Sequence, residues 1–307
     1  MTEPTLQHTL IGGAAAKGST SRRMAWWDWP STASSGKDHV VVCVHGLSRQ
    51  GRDFDTLARA LQPHCRVVAV DVAGRGHSDW LADAMAYQLP TYVADLAQLL
   101  QQLRSERPGV RIDWVGTSMG GLIGLGIAAQ GAIAPARLVL NDVGPAIQWE
   151  ALLRIGDYLG ADPSFASRDE AFEYLARISP GFGPHSPAQW ASLSQPLLRE
   201  REGRWHLHYD PAIAVPFKAM TQGVDPASLQ DAARAGEAAL WDLYDSVAVP
   251  TLLLRGEASD LLSAATAQAM QARGPRPRCI GFAGVGHAPT LIAEDQVRAV
   301  TDFLLSP

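Results

Sequence analysis

The feature that most constrains this fold is a series of short, continuously apolar runs separated by segments with helical spacing. The runs are rich in Val, Leu and Ile, and they are Val40–Val44, Val67–Val70, Ile112–Val115, Arg137–Leu140 and Thr251–Leu254. Continuous rather than alternating hydrophobicity predicts strands buried on both faces, as in a parallel sheet covered by helices. Between the runs, Asp53–Leu61 and Tyr92–Leu103 place apolar residues at helical spacing. The pattern therefore predicts an α/β fold, with a mostly parallel central sheet flanked by helices.

This alternation is interrupted once, over a long stretch. It stops after Pro145 and resumes at Val249, and residues 146–248 contain helical patterns separated by Pro and Gly. We therefore expect a core domain formed by residues 1–145 and 249–307, with a helical lobe, residues 146–248, inserted between two core strands. The catalytic residues of such a sheet are expected on loops at the carboxyl ends of its strands.

The segment Asp113–Gly121 contains the motif G-x-S-x-G, formed by Gly116, Ser118 and Gly120. An apolar strand precedes the motif and a stretch of small residues, predicted to be a helix, follows it; this context separates a reactive serine from a chance match. A serine hydroxyl becomes a useful nucleophile only when a base takes its proton and the backbone exposes it. Glycines flank it because so sharp a turn leaves little room for a Cβ atom. Ser118 is the candidate nucleophile.

With this motif in view, the chain resembles the α/β-hydrolase superfamily, specifically the capped serine hydrolases, which include esterases, lactonases and carbon–carbon bond hydrolases. The resemblance rests on four further segments. These resemble the oxyanion turn, a glycine-rich loop, the strand end that bears the acid and the histidine loop, and they are Val44–Leu47, Asp71–Ser78, Arg255–Asp260 and Gly284–Ala288. The likeness covers about residues 40–145 and 249–305. It implies an α/β-hydrolase fold with a helical cap inserted after the sixth core strand.

Acyl transfer needs a base, a group that orients the base, and donors for the oxyanion. His287 is the best base among the nine histidines, because it stands in a glycine-rich loop after the apolar turn Ile280–Phe282 and completes the order serine, acid, histidine. We expect the oxyanion donors to be the backbone amides of Met119, directly after the nucleophile, and of Leu47 in the oxyanion turn. His45 is expected to support that turn.

Three carboxylates compete for the role of the acid, namely Asp260, Glu257 and Asp142. Asp260 follows Gly256, the glycine that ends the strand, by four residues, and this is where the acid of the resembling family usually falls. Asp260 is therefore preferred. Some members of the superfamily carry the acid after the preceding strand, which keeps Asp142 as the alternative. Otherwise Asp142 is interpreted as a carboxylate that accepts hydrogen bonds from loop amides.

The remaining polar motifs are interpreted as structural. Asp71, Arg75 and Ser78 lie in the glycine-rich loop, and ligand binding by Arg75 is the less favoured alternative. His206 and His208 alternate as on a strand, but no third ligand at a suitable spacing supports a metal site there. We expect neither a metal nor another cofactor.

Composition limits the classes of partner. The net charge is −5 and the isoelectric point is about 6.0, so no basic face for nucleic acid is expected. The chain contains no run of about 18 apolar residues, and residues 1–23 lack the apolar core of a signal peptide. The three cysteines, Cys43, Cys65 and Cys279, show no paired spacing, and Cys43 is expected in the core. A cytoplasmic location is therefore the default expectation, and homodimerisation is left open.

A serine nucleophile favours attack at a carbonyl carbon. Epoxide hydrolases and haloalkane dehalogenases of the resembling superfamily instead need a carboxylate at position 118. The leading hypothesis is hydrolysis of small or medium carboxylic esters through an acyl-enzyme. A carbon–carbon hydrolase of ring-fission diketones and a lactonase are the enzymatic alternatives. For a diketone hydrolase, the inserted segment offers Arg154, Arg168 and Arg177 as cations. A small-molecule receptor without turnover is the alternative from another class, and turnover of a simple aryl ester would exclude it.

Overall fold

One large sheet forms the centre of the molecule. The computed structural model describes residues 2–12, 21–33, 36, 38–221 and 226–306. Within these residues, eight strands form the sheet: β1 (Thr5–Ile11), β2 (Arg22–Trp29), β3 (His39–Val44), β4 (Arg66–Val70), β5 (Arg111–Thr117), β6 (Leu138–Asn141), β10 (Thr251–Gly256) and β11 (Arg278–Phe282). The segment Ile280–Phe282, predicted to be a turn, belongs to β11, so that prediction is wrong.

The order of strands across the sheet is β1-β2-β4-β3-β5-β6-β10-β11. From β4 to β11 every neighbouring pair is parallel, whereas β2 is antiparallel to both β1 and β4. The prediction of a mostly parallel sheet is confirmed. Because the parallel strands point the same way, the carboxyl ends of β3, β5, β6 and β10 meet at one edge of the sheet.

Helices cover both faces of the sheet, and this explains the continuous apolar runs. In β3, Val40, Val42 and Val44 face one buried core, whereas Val41 and Cys43 face the other. The helices of the main domain are α1 (Asp55–Leu61), α2 (Leu89–Glu106), α3 (Met119–Ala128), α9 (Ala264–Ala272) and α10 (Glu294–Leu305). Residues of α2 and α3 belong to the first core, and residues of α1 and α10 belong to the second. The expectation that Cys43 is a core residue is confirmed, because it is fully buried.

The inserted segment follows β6, the sixth strand in chain order among the described residues. It contains α4 (Trp149–Tyr158), β7 (Ser164–Phe165), α5 (Arg168–Ile178), α6 (Pro187–Ser194), β8 (Leu198–Arg201), β9 (Arg204–Leu207), α7 (Val215–Thr221) and α8 (Pro226–Asp245). Its three strands form a separate antiparallel sheet in the order β7-β9-β8. The prediction of a wholly helical segment is therefore wrong in part, because these strands are too short to give a clear apolar pattern.

The inserted segment shares its buried interior with the main domain. Apolar residues of α5 and β9, such as Leu175 and Leu207, belong to the same buried cluster as the residues of β3 and α3. The end of α8 packs on the main domain, where the buried Tyr244 donates its hydroxyl to the carbonyl of Met270 at 2.8 Å. Among the described residues, no helix combines the length and apolar character needed to cross a membrane.

Helix α3 packs closely against the sheet, because several of its residues that face the sheet are glycines. A Cβ atom at Gly124 would lie 2.5 Å from the indole nitrogen of Trp114. That indole is fully buried and donates to the carbonyl of Gly120 at 3.0 Å. Glycine is less favourable than alanine in a helix, so its presence here reflects the space between α3 and β5.

We predict that Gly124→Ala and Gly236→Ala have opposite effects on stability. Gly124→Ala should lower the free energy of unfolding by about 1–3 kcal/mol, because the new methyl group displaces the Trp114 ring. Gly236 is an exposed residue of α8 with nothing within 4 Å of its would-be Cβ. Gly236→Ala should raise the free energy of unfolding by about 0.5–1 kcal/mol. Urea unfolding of the two variants measures both changes, and a Gly124→Ala variant as stable as the Gly236→Ala variant would contradict the packing argument.

Candidate active site

Ser118 stands at a sharp turn between β5 and α3. Its backbone has φ 52° and ψ −117°, a conformation that a residue with a side chain rarely adopts and that is often found at functional sites. The turn needs both flanking glycines, because a Cβ atom at Gly116 would lie 2.2 Å from the carbonyl oxygen of Gly120, and one at Gly120 would lie 2.0 Å from that of Val44. The expected strand–turn–helix geometry around Ser118 is present.

A histidine links Ser118 to a buried carboxylate. Nε2 of His287 lies 3.0 Å from Oγ of Ser118, and Nδ1 of His287 lies 2.8 Å from Oδ2 of Asp142. Because an ionised carboxylate only accepts, Nδ1 is the protonated nitrogen, and Nε2 keeps a lone pair directed at the serine hydroxyl. The arrangement can therefore take a proton from Ser118 and stabilise the imidazolium that forms.

Asp142 is fixed by its neighbours. It follows β6 directly with φ 55° and is fully buried. Its Oδ1 accepts from the backbone N–H of Gly256 at 2.9 Å, and its Oδ2 also accepts from the hydroxyl of Ser259 at 2.6 Å. These donors satisfy the buried carboxylate and direct it at His287. Sequence reasoning kept Asp142 as an alternative but missed Ser259, whose only signal was its place just before Asp260.

The preferred placement of the acid at Asp260 is wrong, because His287 contacts Asp142 and not Asp260. The carboxylate of Asp260 accepts two hydrogen bonds from the guanidinium of Arg154, with Nε at 2.7 Å and Nη2 at 3.1 Å, and its side chain is 47% exposed. The turn after β10 directs Ser259 inward to Asp142 and Asp260 outward to α4. Glu257, the third carboxylate considered, is exposed. The spacing of Asp260 from Gly256 fitted the family pattern, but the direction of the side chain did not follow from spacing.

The predicted oxyanion donors lie on both sides of Ser118. Met119 is the first residue of α3, and Leu47 follows Gly46, whose would-be Cβ lies 3.7 Å from Cβ of Ser118. Within the described part of the chain, neither the backbone N–H of Leu47 nor that of Met119 donates a hydrogen bond. Two unused donors beside a nucleophile can bind a developing oxyanion, and the α3 dipole adds a positive potential at its N-terminus.

His45 supports the oxyanion turn from below. Its Nε2 accepts from the backbone N–H of Val72 at 3.0 Å, so the proton is on Nδ1, which donates to the carbonyl of Gly46 at 2.7 Å. The pKa of His45 is lowered to about 3, mainly by burial; the hydrogen bond to Gly46 opposes this shift, and the charges of Arg75 and Arg49 add to it. His45 therefore stays neutral and keeps both bonds at neutral pH.

A cavity of about 1170 Å³, which includes its opening to solvent, adjoins Ser118 and His287. The inserted segment forms one wall of the cavity. This wall is mainly apolar and aromatic, and it contains Ile155, Tyr158, Tyr174, Leu175, Ile178, Phe182, Leu197 and Leu207. Residues of the main domain and of the inserted segment thus share one cavity.

Two arginines line this cavity, and each is paired with a carboxylate. Arg49 binds both oxygens of Asp53, at 2.6 and 2.7 Å. Arg154 binds Asp260 as described above. The other two arginines considered from the sequence, Arg168 and Arg177, lie over the rings of Trp205 and Tyr174 and are not among the residues that line the cavity. Among the described residues, the arginines of the cavity are therefore already paired, and they do not form a cluster of free cations for the substrate of a diketone hydrolase.

His208 and His77, a residue of the Asp71–Ser78 loop, pack at the junction of the inserted segment and the main domain. The rings of His77 and His208 meet edge to face, with centroids 4.9 Å apart. The pKa of His208 is lowered to about 4, mainly by burial, with smaller contributions from the neighbouring His77 and Arg199. Of the described residues, no three His, Cys, Asp or Glu side chains are grouped so that they could hold a metal ion.

Comparison with known proteins places the chain in a family. The model of the Alpha/beta hydrolase family matches residues 41–302, which span most of the chain. The chain belongs to this family, as the resemblance predicted.

Individual relatives are hydrolases. The chain is 44% identical to a protein of Cupriavidus necator named 3-hydroxybutyrate-oligomer hydrolase, over 92% of each chain. It is 29% identical to a pimeloyl-[acyl-carrier protein] methyl ester esterase of Xanthomonas oryzae, over 88% of this chain and 97% of the relative. A crystal structure of an α/β hydrolase from Novosphingobium aromaticivorans is similar with a TM-score of 0.81 and 33% identity, over 99% of each chain.

The buried His45 generates a prediction about acid stability. Its folded-state pKa of about 3 lies below its reference value, so the unfolded chain binds the proton first as the pH falls through about 6.5. This residue therefore costs stability on the acid side. Between pH 7 and pH 5, the wild type should lose about 2 kcal/mol more free energy of unfolding than His45→Gln, which cannot titrate. Urea unfolding at both pH values measures this difference, and equal losses in the two proteins would contradict the argument.

Proposed function

We propose that this α/β hydrolase cleaves carboxylic esters through an acyl-enzyme on Ser118. The observation that carries the proposal is the chain of contacts from Ser118 Oγ to His287 Nε2 at 3.0 Å and from His287 Nδ1 to Asp142 at 2.8 Å. Each group has the partner that its role needs, since the nucleophile has a base and the base has a buried carboxylate. The N–H groups of Leu47 and Met119 serve as oxyanion donors in this proposal.

The proposed reaction has two halves. Ser118 Oγ attacks the ester carbonyl carbon while its proton passes to Nε2 of His287, and the oxyanion binds the two backbone N–H groups. The tetrahedral intermediate collapses, His287 protonates the leaving alkoxide, and an acyl ester on Ser118 remains. Water, deprotonated by the same nitrogen, then attacks the acyl carbon. As this second tetrahedral intermediate collapses, the bond from the acyl carbon to Ser118 Oγ breaks, His287 returns the proton to Oγ, and the acid is released. Asp142 keeps the ring in one tautomer and stabilises its charged form throughout.

For the substrate, we propose short oligomers of 3-hydroxybutyrate. The name of the Cupriavidus necator relative, 44% identical over 92% of both chains, supports this choice. The cavity supports it, because its apolar wall suits the methyl-branched chain of this polyester, and its two arginines are each paired with a carboxylate. Methyl esters, the substrate named for the Xanthomonas relative, are the comparison.

We also propose that residues 146–248 act as a cap that selects the substrate. The apolar and aromatic wall opposite Ser118 comes from α4, α5 and the segment around Phe182. Because Ser118, His287 and Asp142 all belong to the main domain, changes to this wall alter which ester fits without moving the reacting groups.

The direct test is hydrolysis of a 3-hydroxybutyrate trimer, followed by release of monomer and dimer. We expect turnover by the wild type and a loss of roughly 10⁴–10⁶ in kcat for Ser118→Ala, with the thermal midpoint of unfolding little changed. Methyl esters and a simple aryl ester are measured beside the trimer. A variant that keeps a tenth of the activity would refute the role of Ser118. Turnover of aryl esters without turnover of the trimer would refute the substrate and keep the mechanism.

The two aspartates provide a matched pair for the acid. Asp142→Asn should lower kcat on the order of 10⁴, because an amide leaves the histidine in the wrong tautomer. Asp260→Asn removes an exposed ion pair with Arg154 and should change kcat by less than about threefold, since such pairs contribute little. Both variants are measured with the same ester at the same pH. A larger loss for Asp260→Asn than for Asp142→Asn would contradict the assignment.

A further inference from the structure

Arg75 is a buried cation that the reaction described above does not use. Its side chain is fully buried, and none of the ion pairs among the described residues involves it. An arginine stays charged in proteins, and a buried charge without a counter-charge is costly. A residue kept in such a place despite this cost is a candidate for a role in function.

The guanidinium is held by neutral acceptors instead of a carboxylate. Nη1 donates to the carbonyl of Ala73 at 2.7 Å and to the hydroxyl of Tyr92 at 2.9 Å. The ring of Tyr92 also lies under the cation, 5.1 Å from ring centroid to Cζ. These contacts fix the plane of the guanidinium, because its donors form a rigid fork.

The rest of the fork reaches both residues assigned as oxyanion donors. Nε donates to the carbonyl of Leu47 at 2.8 Å, and Nη2 lies 3.9 Å from the sulfur of Met119. Leu47 and Met119 are 72 positions apart in the chain, so Arg75 joins two segments that the sequence separates.

The two peptide planes on either side of Leu47 are therefore both anchored. The carbonyl of Gly46 shares a planar peptide unit with the N–H of Leu47, and it accepts from Nδ1 of His45 at 2.7 Å. The next plane carries the carbonyl of Leu47, which accepts from Arg75. With both planes fixed, the two backbone dihedrals of Leu47 are fixed, and so is the direction of its N–H.

We propose that Arg75 is a positioning residue for the oxyanion hole: it holds the backbone of Leu47 so that its N–H meets the oxyanion that develops on attack by Ser118. The inference rests on the proposed serine mechanism. It assigns a catalytic consequence to a loop that sequence analysis treated as structural.

The loop that carries Arg75 is itself rigid enough for this role. Its Gly76 has φ 53°, and a Cβ atom there would lie 2.2 Å from the carboxylate of Asp71. That carboxylate accepts from the backbone N–H groups of Gly51 and His77. The inserted segment also holds this loop, because the backbone N–H of Gly76 donates to the carbonyl of His208 at 3.0 Å.

The test compares an aryl ester with its thionoester, in which sulfur replaces the carbonyl oxygen. Sulfur accepts hydrogen bonds weakly, so the ratio of the two kcat/KM values reports the contribution of the oxyanion donors. Arg75→Met and Arg75→Lys are measured with the wild type. Removing an oxyanion donor typically costs about 10²–10³ in rate. We expect Arg75→Met to lose about 10–10² in kcat for the oxygen ester, with KM little changed and with a much smaller loss for the thionoester.

Tyr92→Phe is the matched control, because it removes one hydrogen bond to the same guanidinium but keeps the ring beneath the cation and the bonds to the Ala73 and Leu47 carbonyls. It should keep the wild-type ratio of ester to thionoester. Arg75→Lys keeps the charge and most of the volume, so it preserves folding if Arg75→Met does not. Its single ammonium cannot hold the Leu47 and Ala73 carbonyls as the fork does, so the ratio should fall in this variant too.

The outcomes separate the inference from the function on which it rests. Equal losses for both substrates in the Arg75 variants, or an unchanged ratio in Arg75→Lys, would overturn the positioning role. If the wild type hydrolyses the ester and Ser118→Ala does not, such a result leaves the serine mechanism intact. If Ser118→Ala remains active, the proposed function itself fails.

Discussion

The close approach of α3 to β3 is the constraint on which the rest of the site depends. Gly120 lies so near the carbonyl of Val44 that no side chain fits between them. This contact forces the sharp turn at Ser118 and brings the end of β3, with its oxyanion turn, beside the nucleophile. Strand pairing alone would set the two strand ends side by side, but the glycines allow the helix to begin within contact of both.

The buried carboxylate follows from the same edge of the sheet. β6 lies between β5, which Ser118 follows, and β10, which ends at Gly256 and is followed by Ser259; the N–H of Gly256 and the hydroxyl of Ser259 both donate to Asp142. Asp142 therefore stands where donors from the neighbouring strand meet the histidine loop. An aspartate after β10 was the expectation, yet that turn supplies donors to the carboxylate instead of supplying the carboxylate.

Two buried polar side chains below the site hold different parts of the oxyanion turn, as their contacts show. His45 and Arg75 each bind one carbonyl of the oxyanion turn, and both are remote from the cavity surface. His45 is neutral because burial disfavours a second proton on its ring, whereas Arg75 is a cation stabilised by carbonyls, a hydroxyl and an aromatic face. The cavity above them is walled by the inserted segment, so the reacting groups and the wall that meets the substrate come from different parts of the chain.

The sequence by itself determined the class of fold and singled out Ser118 and His287, whose side chains lie 3.0 Å apart in the structure. Short continuous apolar runs that alternate with helical patterns are typical of strands buried on both faces of a sheet, and the glycines around Ser118 predict a sharp turn, so local patterns were sufficient there. It did not determine the acid, because Asp142 and Asp260 both follow core strands and only the direction of each side chain separates them. The strands of the inserted segment were missed because two to four residues carry too little pattern. The role of Arg75 could not be predicted either, since its partners Leu47 and Met119 are distant in sequence and meet it only when the chain has folded. Spacing along the chain does not fix the direction of a hydrogen bond or the burial of a side chain. Only the packed structure determines these, and it therefore distinguished Asp142 from Asp260 and gave Arg75 its partners.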